Sequence, residues 1–168
     1  EGYTDDEGEK ILSEYKKPKE AEKINVIAIM SEAFADFSKA EELEFKDGFD
    51  PLVNFKRLCS EGIYGNIVVN GFGGGTSYSE FEFLTGASPY LVDDSIPEMY
   101  KTYITEKTYS LAQAFSDMGY YAEAMHLGKA WFYNRQNVYL DMGFKRFVSD
   151  NIIDTDNMSK TNYYVNDT

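Results

Sequence analysis

Apolar residues in this chain fall into two patterns, short continuous runs and longer stretches at helical spacing. The runs at residues 24–30 and 67–69 are rich in β-branched side chains, which is typical of parallel strands buried on both faces. A short stretch at residues 120–126 predicts a third strand. We expect residues 24–30, 67–69 and 122–125 to form neighbouring parallel strands.

Helices are predicted between and after these strands, at residues 51–61, 76–85, 109–118 and 130–142. Asp50 is the expected N-cap of the first helix, and Gly62 its end. In the second helix Ser77 and Glu80 have the spacing of a capping box, and Gly86 is the expected stop. Strands that alternate with helices indicate an α/β fold with a parallel sheet.

Composition and charge narrow the class of protein. With 168 residues, 43% of them hydrophobic, the chain is long enough to bury the core of one domain. It carries 16 Lys and Arg against 29 Asp and Glu, and the net charge of −13 disfavours nucleic-acid binding. Residues 1–23, with eight acidic and five basic side chains, are interpreted as a charged linker. The single cysteine, Cys59, excludes an internal disulfide and a cysteine-rich zinc module.

Reactive side chains follow each predicted strand. Glu32 comes just after the first strand, Thr76 follows the glycine run 73–75 after the second, and His126 ends the third. Since the carboxyl ends of parallel strands share one edge of a sheet, these three side chains are expected to converge there. Taken singly, each has an ordinary structural interpretation: a solvated carboxylate, a helix N-cap and a hydrogen-bonded core histidine.

The glycine run gives Thr76 a possible chemical role. Glycines allow the backbone to approach a ligand closely, and the N–H groups that begin the next helix form an anion site beside the Thr76 hydroxyl. The segment is not a P-loop, because the lysine of that motif is absent. A divalent cation bound to Glu32 would activate the hydroxyl as a nucleophile.

Three segments together resemble one family. Residues 25–34, 73–86 and 125–135, followed by 143–144, resemble the lipoteichoic acid synthase and phosphoglycerol transferase branch of the sulfatase and alkaline phosphatase superfamily. The resemblance runs from about residue 24 to residue 149, in matching order and spacing. It implies an alkaline-phosphatase-like α/β/α sandwich with a mostly parallel sheet, of which residues 24–168 would form the N-terminal, incomplete part.

The resemblance also implies roles for individual residues. Glu32 and Thr76 would be ligands of a divalent metal, which the resemblance indicates to be Mn²⁺, and Thr76 would be the nucleophile. His126 and Arg135 would contact the phosphoglycerol head group, and Tyr133 falls where some members carry Trp beside the phosphate site. A further residue departs from the family pattern, since glycine stands at position 128, where some members carry an Asp that contacts glycerol.

Members of this family complete the site with an Asp-His pair and a further His, both downstream of the position of Asn134-Arg135. In this chain His126 is the only histidine. We therefore expect the remaining ligands to come from outside this chain, and the chain alone to bind metal weakly and to be inactive. The resemblance further implies preceding membrane helices, with the catalytic domain outside the cell at the membrane.

The expected function is transfer of phosphoglycerol from a phospholipid head group to a glycerol phosphate polymer or glycan through a threonine-linked intermediate. One alternative is a phosphoethanolamine transferase or phosphodiesterase on the same fold. Another is a non-catalytic glycan-binding module, which the aromatic content of 16% would suit. Sulfate ester cleavage is disfavoured, because the segment around Cys59 lacks the Pro and Arg of the formylglycine motif.

Overall fold

A computed structural model describes residue 10 and residues 23–31, 34–46, 48–69, 75–88, 99–106, 108–154, 157–161 and 164–165. The chain divides into two compact units, Glu1–Ser31 and Glu32–Thr168. In the first unit residues 23–31 form neither helix nor strand and are exposed to solvent. The boundary of the charged linker at residue 23 stays a prediction.

The second unit combines short helices with two small sheets. Its helices are α1 (Val53–Glu61), α2 (Thr76–Thr85), α3 (Met99–Thr102), α4 (Leu111–Asp117) and α5 (Arg135–Asp141), with 3-10 turns at Phe37–Lys39 and Phe132–Asn134. Its strands are β1 (Glu123–Met125), β2 (Arg146–Val148), β3 (Lys160–Thr161) and β4 (Tyr164–Val165). No described helix is long and apolar enough to cross a membrane.

The sheet next to the predicted site is a parallel pair. In its register, Glu123 of β1 lies opposite Arg146 of β2, and Met125 lies opposite Val148. The His126 N–H extends the ladder by donating to the Val148 carbonyl over 2.9 Å. Helix α5 lies between the two strands in sequence, which is the crossover connection that a parallel pair needs. The other sheet, formed by β3 and β4, is antiparallel.

Two of the three predicted strands are wrong. Residues 24–30 and 64–69 are assigned to no strand, and Ile27 and Val68 are 83% and 99% exposed. A strand in the middle of a parallel sheet needs ladder partners at both edges and packed layers on both faces, and no described segment supplies these. Residues 122–125 do contain a parallel strand, β1. Its partner β2 was not predicted, because three residues are too few to show a periodic pattern.

The predicted helices are confirmed as elements, while several of their ends differ. Helix α1 has Leu52 as its N-cap, so Asp50 caps the preceding turn instead, accepting from the Leu52 N–H over 2.9 Å. Helix α4 begins at Leu111 because the Ser110 hydroxyl caps it, accepting from the Gln113 N–H over 3.2 Å. The C-terminal glycines of α1 and α2 are both confirmed.

The stretch 130–142 is not one continuous helix. Its first turn is 3-10, and Tyr133 and Asn134 both have left-handed backbone angles, with φ of 56° and 57°. Non-glycine residues adopt this region rarely and with strain, so the break is a distinctive local feature. It lies immediately before Arg135, the first residue of α5.

The core of the second unit joins α2, α3, α5 and the residues that follow them. The buried cluster consists of Phe81, Tyr100, Ile104, Val138, Tyr139 and Met142. Helix α4 is tied to this core because the buried Ser110 hydroxyl donates to the Met142 carbonyl. The core therefore fixes α2 against α5, the two helices that carry Thr76 and Arg135.

We predict that Gly143→Ala destabilises the protein by more than about 1 kcal/mol, the ordinary cost of a left-handed alanine. Gly143 has a φ of +91°, and a Cβ there would lie 2.6 Å from Gln113 Oε1 and 3.2 Å from Gln113 Cα. Gly86→Ala is the matched control, since its φ is +70° and its Cβ would meet nothing. Urea unfolding of the two variants compares these costs, and equal losses would contradict the packing at Gly143.

Candidate active site

Thr76 is the first residue of α2, reached through a left-handed glycine. Its N-cap Gly75 has φ 79° and ψ 43°, and a Cβ on Gly75 would lie 3.0 Å from the Tyr78 ring. The partly buried Thr76 therefore sits where the helix N–H groups and the positive end of the helix dipole favour an anion. Residues 73 and 74 of the glycine run lie outside the described residues.

Glu80 lies one helical turn after Thr76 and is 7% exposed. The predicted capping box is wrong, because Gly75 is the N-cap and the Glu80 carboxylate points into a buried polar network. Its Oε1 accepts from Arg135 Nη2 over 2.5 Å. Its Oε2 accepts from the Tyr100 hydroxyl over 2.6 Å, the Tyr139 hydroxyl over 2.9 Å and Arg135 Nε over 3.3 Å.

Arg135 is 1% exposed and makes an ion pair with Glu80. Its Cζ lies 5.0 Å from the centre of the Tyr133 ring, a cation–π contact. Among the described residues, its remaining terminal nitrogen Nη1 is buried and has no hydrogen-bond partner. A buried guanidinium N–H without a partner is costly, and an anionic ligand would satisfy it.

In this network the pKa of Glu80 is lowered and that of Arg135 is raised, so both members of the pair are charged. Burial alone would raise the pKa of the Glu80 carboxyl, but hydrogen bonding and charge from Arg135, with the two tyrosine hydroxyls, lower it below its ordinary value. Burial and the neighbouring carboxylate raise the pKa values of Tyr100 and Tyr139. Both phenols therefore remain protonated donors, while Arg135 remains a cation.

His126 follows β1 and carries a defined tautomer. Its Nδ1 accepts from the Gly128 N–H over 2.9 Å, so the proton of the neutral ring resides on Nε2. A Cβ at Gly128 would lie 2.6 Å from the ring Cε1, so glycine is required for this arrangement. Burial, and then the positive charge of Arg135, lower the pKa of His126 from its usual value. His126 is thus a neutral Nε2–H donor at neutral pH.

The described residues do not by themselves form a metal centre. Glu32, the predicted carboxylate ligand, lies outside them, and those that are described contain no group of three His, Cys, Asp or Glu side chains. Thr76 supplies one oxygen, whereas a divalent cation takes several. The roles of Glu32 and Thr76 as ligands therefore stay predictions.

Among the described site residues, the structure brings several together. Arg135 contacts the Tyr133 ring, its charge acts on His126, and Glu80 links it to the helix that begins at Thr76. Sequence reasoning missed Glu80 as an anchor. Its place beside Phe81 in an aromatic-rich helix was a signal that the carboxylate is buried. A buried carboxylate requires a cationic partner.

Relatives and solved structures resemble this chain over part of their length. A relative named "Putative cyclic beta-1,2-glucan modification protein", from Rhizobium meliloti (strain 1021), is 38% identical over 129 residues, 76% of this chain and 19% of that protein. The Streptococcus pyogenes phosphoglycerol transferase GacH, solved in complex with sn-glycerol-1-phosphate, is 25% identical with a TM-score of 0.58, over 71% of this chain and 32% of that one. The lipoteichoic acid synthase LtaP from Listeria monocytogenes is 23% identical with a TM-score of 0.44, over 51% of this chain and 20% of that one.

The fold is thus a partial alkaline-phosphatase-like α/β fold, with helices and a parallel pair of strands. The Sulfatase family model matches residues 24–168, so the chain belongs to the sulfatase family. The resemblance to phosphoglycerol transferases of that superfamily is confirmed. The chain spans about a fifth of the length of the curated relative it matches.

We predict that His126, the single histidine, titrates below 6.5 and carries its neutral proton on Nε2. Because the folded-state pKa is the lower one, the unfolded chain binds this proton more readily, and stability falls as the pH drops below 6.5. Long-range ¹⁵N NMR of the ring gives both the tautomer and the pKa.

Gly128→Ala is the companion variant, because its Cβ displaces the ring. It should move the pKa of His126 towards the ordinary value and mix the tautomers. An unchanged tautomer and pKa in Gly128→Ala would contradict the contact between Gly128 and the imidazole.

Proposed function

We propose that the whole protein to which this chain belongs is a metal-dependent phosphoglycerol transferase. It moves phosphoglycerol from a phospholipid to a glycan or glycerol phosphate polymer through an intermediate on Thr76. The chain contributes the nucleophile and the phosphate-binding residues His126, Tyr133 and Arg135. A divalent cation, Mn²⁺ by family resemblance, would be held by Glu32 and Thr76 with ligands from outside this chain.

The observation that carries the proposal is the unsatisfied face of Arg135. This buried guanidinium is held on one side by Glu80, while its Nη1 has no partner among the described residues. Arginine is well suited to phosphate oxygens, since its donors are fixed in one plane. Helix α2, which carries Glu80, begins at Thr76. The hydroxyl nucleophile and the guanidinium that donates hydrogen bonds to phosphate are therefore fixed to one buried network.

The chemistry of such a transfer has two steps. In the first, the Thr76 oxygen attacks the phosphorus of the donor, a phosphorus–oxygen bond to the lipid breaks, and the lipid alcohol leaves with a proton. In the second, an acceptor hydroxyl loses its proton and attacks the same phosphorus, the phosphorus–oxygen bond to Thr76 breaks, and the Thr76 hydroxyl is restored by taking up a proton. The cation, when bound, lowers the pKa of the threonine hydroxyl and withdraws charge from the phosphate.

The other chain residues would bind and orient the head group. The neutral His126 donates Nε2–H to a phosphoryl oxygen, and Arg135 Nη1 donates to a second one. These donors would stabilise negative charge as it develops on the phosphoryl group. Tyr133 stacks on the guanidinium and limits its movement.

Two of the relatives support the head group and the acceptor. The solved phosphoglycerol transferase binds sn-glycerol-1-phosphate, the head group of the proposed donor. The curated relative is named for modification of a cyclic glucan, which favours a glycan acceptor. A lipid donor further implies that the whole protein acts at the cell membrane with its catalytic domain outside the cell.

The alternative functions differ in the group that becomes attached to Thr76 and in its later fate. A phosphoethanolamine transferase would load a different head group on the same threonine, and a phosphodiesterase would release it to water. A glycan-binding module would form no covalent adduct at all. Mass spectrometry of the peptide that contains Thr76, after incubation with phospholipid, distinguishes these outcomes by the added mass.

We predict that Thr76→Ala in the whole protein abolishes transfer and the covalent adduct, because no other hydroxyl occupies the same position. Thr76→Ser should retain part of the activity, since it keeps the hydroxyl and loses only a methyl group. If Thr76 were only the first residue of α2, which Gly75 caps, alanine would leave turnover of the folded protein largely intact. A folded, metal-bound Thr76→Ala that transfers phosphoglycerol at the wild-type rate would refute the assignment.

A further inference from the structure

We infer that Glu80 is a positioning residue, which holds Arg135 in a fixed place relative to the Thr76 hydroxyl so that Nη1 faces the substrate phosphate. The inference rests on the proposed function. It assigns a role to Glu80, a residue to which the proposed function gives no part in binding or chemistry. It starts from the spacing of Thr76 and Glu80 on α2, four residues apart. Side chains at this spacing are neighbours on one face of a helix.

The carboxylate is held from several directions. Oε1 accepts one hydrogen bond and Oε2 accepts three, from Arg135, Tyr100 and Tyr139. Four hydrogen bonds from three different residues hold the carboxylate in one orientation. Because the two phenols come from α3 and α5, the carboxylate is braced by helices other than its own.

The guanidinium is consequently fixed along one edge. Nε and Nη2 point to Glu80, and planarity then determines the direction of Nη1. Nη1 is buried and without a partner among the described residues. A pair that served stability alone would gain by satisfying this donor, so the geometry points to a ligand outside the pair.

The backbone before Arg135 supports the same conclusion. Tyr133 and Asn134 are both left-handed, a conformation that Asn adopts readily but that Tyr tolerates only where the surroundings enforce it. The break orients the Tyr133 ring beside the guanidinium, at 5.0 Å. Arg135 is therefore held by the carboxylate of Glu80 and by the ring of Tyr133.

The test uses the whole protein and measures the rate of adduct formation on Thr76 in a single turnover with phospholipid. Glu80→Asp retains the charge and withdraws it by one methylene, and we expect the rate to fall at least about tenfold. Leu52→Ala is the matched control, because Leu52, the N-cap of α1, is 7% exposed and lies outside the buried cluster that contains Tyr100 and Tyr139. It should lower the melting temperature comparably and leave the rate of the folded protein within about twofold.

Tyr100→Phe keeps the inference testable if Glu80→Asp fails to fold. It removes the 2.6 Å hydrogen bond to Oε2 and leaves the ion pair intact. We expect a rate reduction of several-fold with a small change in melting temperature. A wild-type rate in Glu80→Asp, or in Tyr100→Phe where Glu80→Asp does not fold, would overturn the positioning role.

A second measurement follows Arg135 directly. In the whole protein the Arg135 Nε–H signal is assigned by NMR as the one that is lost in Arg135→Lys. In the wild type the Arg135 signal should exchange slowly with solvent and shift on titration with sn-glycerol 1-phosphate. In Glu80→Asp the Arg135 signal should exchange faster with solvent and shift less on titration. An unchanged exchange rate and titration shift would contradict the inference.

These two readouts separate the inference from the proposed function. A wild-type protein that forms no adduct on Thr76 removes the transferase proposal. In that case the exchange of the Arg135 signal, and its response to sn-glycerol 1-phosphate, still decide whether Glu80 positions a phosphate-binding arginine.

Discussion

A buried carboxylate determines how the described part of the second unit is assembled. Glu80 is almost fully removed from water, and a charge in that position is tolerated only with a cation and with its acceptor positions filled. Arg135, Tyr100 and Tyr139 meet both requirements. Removing one partner of such a pair typically costs about 3–5 kcal/mol, because the other is left buried and charged. Three helices are therefore held in one arrangement by a single side chain.

The same arrangement links structure to the proposed chemistry. Helix α2 begins at Thr76 and carries Glu80 one turn later, whereas α5 begins at Arg135. Because the ion pair joins these helices near their first turns, the positions of the hydroxyl and the guanidinium depend on each other. His126 enters from the end of β1, and the positive charge of Arg135 helps keep its imidazole neutral. The proposed nucleophile, the guanidinium cation and the neutral imidazole donor are thus positioned by contacts with residues outside the proposed site.

Local features of the fold were predictable from sequence, and those that depend on distant partners were not. Gly62 and Gly86 end their helices as expected, since the signal lies within the helix and the residue after it. The strands expected at residues 24–30 and 67–69 are not formed. An apolar run in a sequence does not reveal whether pairing partners are present. Glu80 shows the same limit: its spacing from Ser77 suggested a cap, but its partner Arg135 is 55 residues away.

The candidate site divides in the same way. Thr76 at a helix start and His126 after a strand were placed by sequence order alone, and the structure puts both there. Tyr133 carries no sequence signal for its left-handed backbone, whereas Asn134 is of a residue type that adopts this region more readily than most. The contact that makes Gly128 necessary also escaped the sequence, since it depends on the orientation of the His126 ring.

The coupling between Glu80 and Arg135 can be measured with a double-mutant cycle. Urea unfolding of the wild type, Glu80→Gln, Arg135→Met and the double variant at pH 7 gives the interaction free energy of the pair. If the ion pair holds α2 against α5, each single variant loses several kcal/mol, and the double variant loses much less than the sum. A coupling of at least about 2 kcal/mol is expected for residues that share one buried network. Losses that add to within about 0.5 kcal/mol would show that the two side chains act independently, and would contradict the central role of the pair.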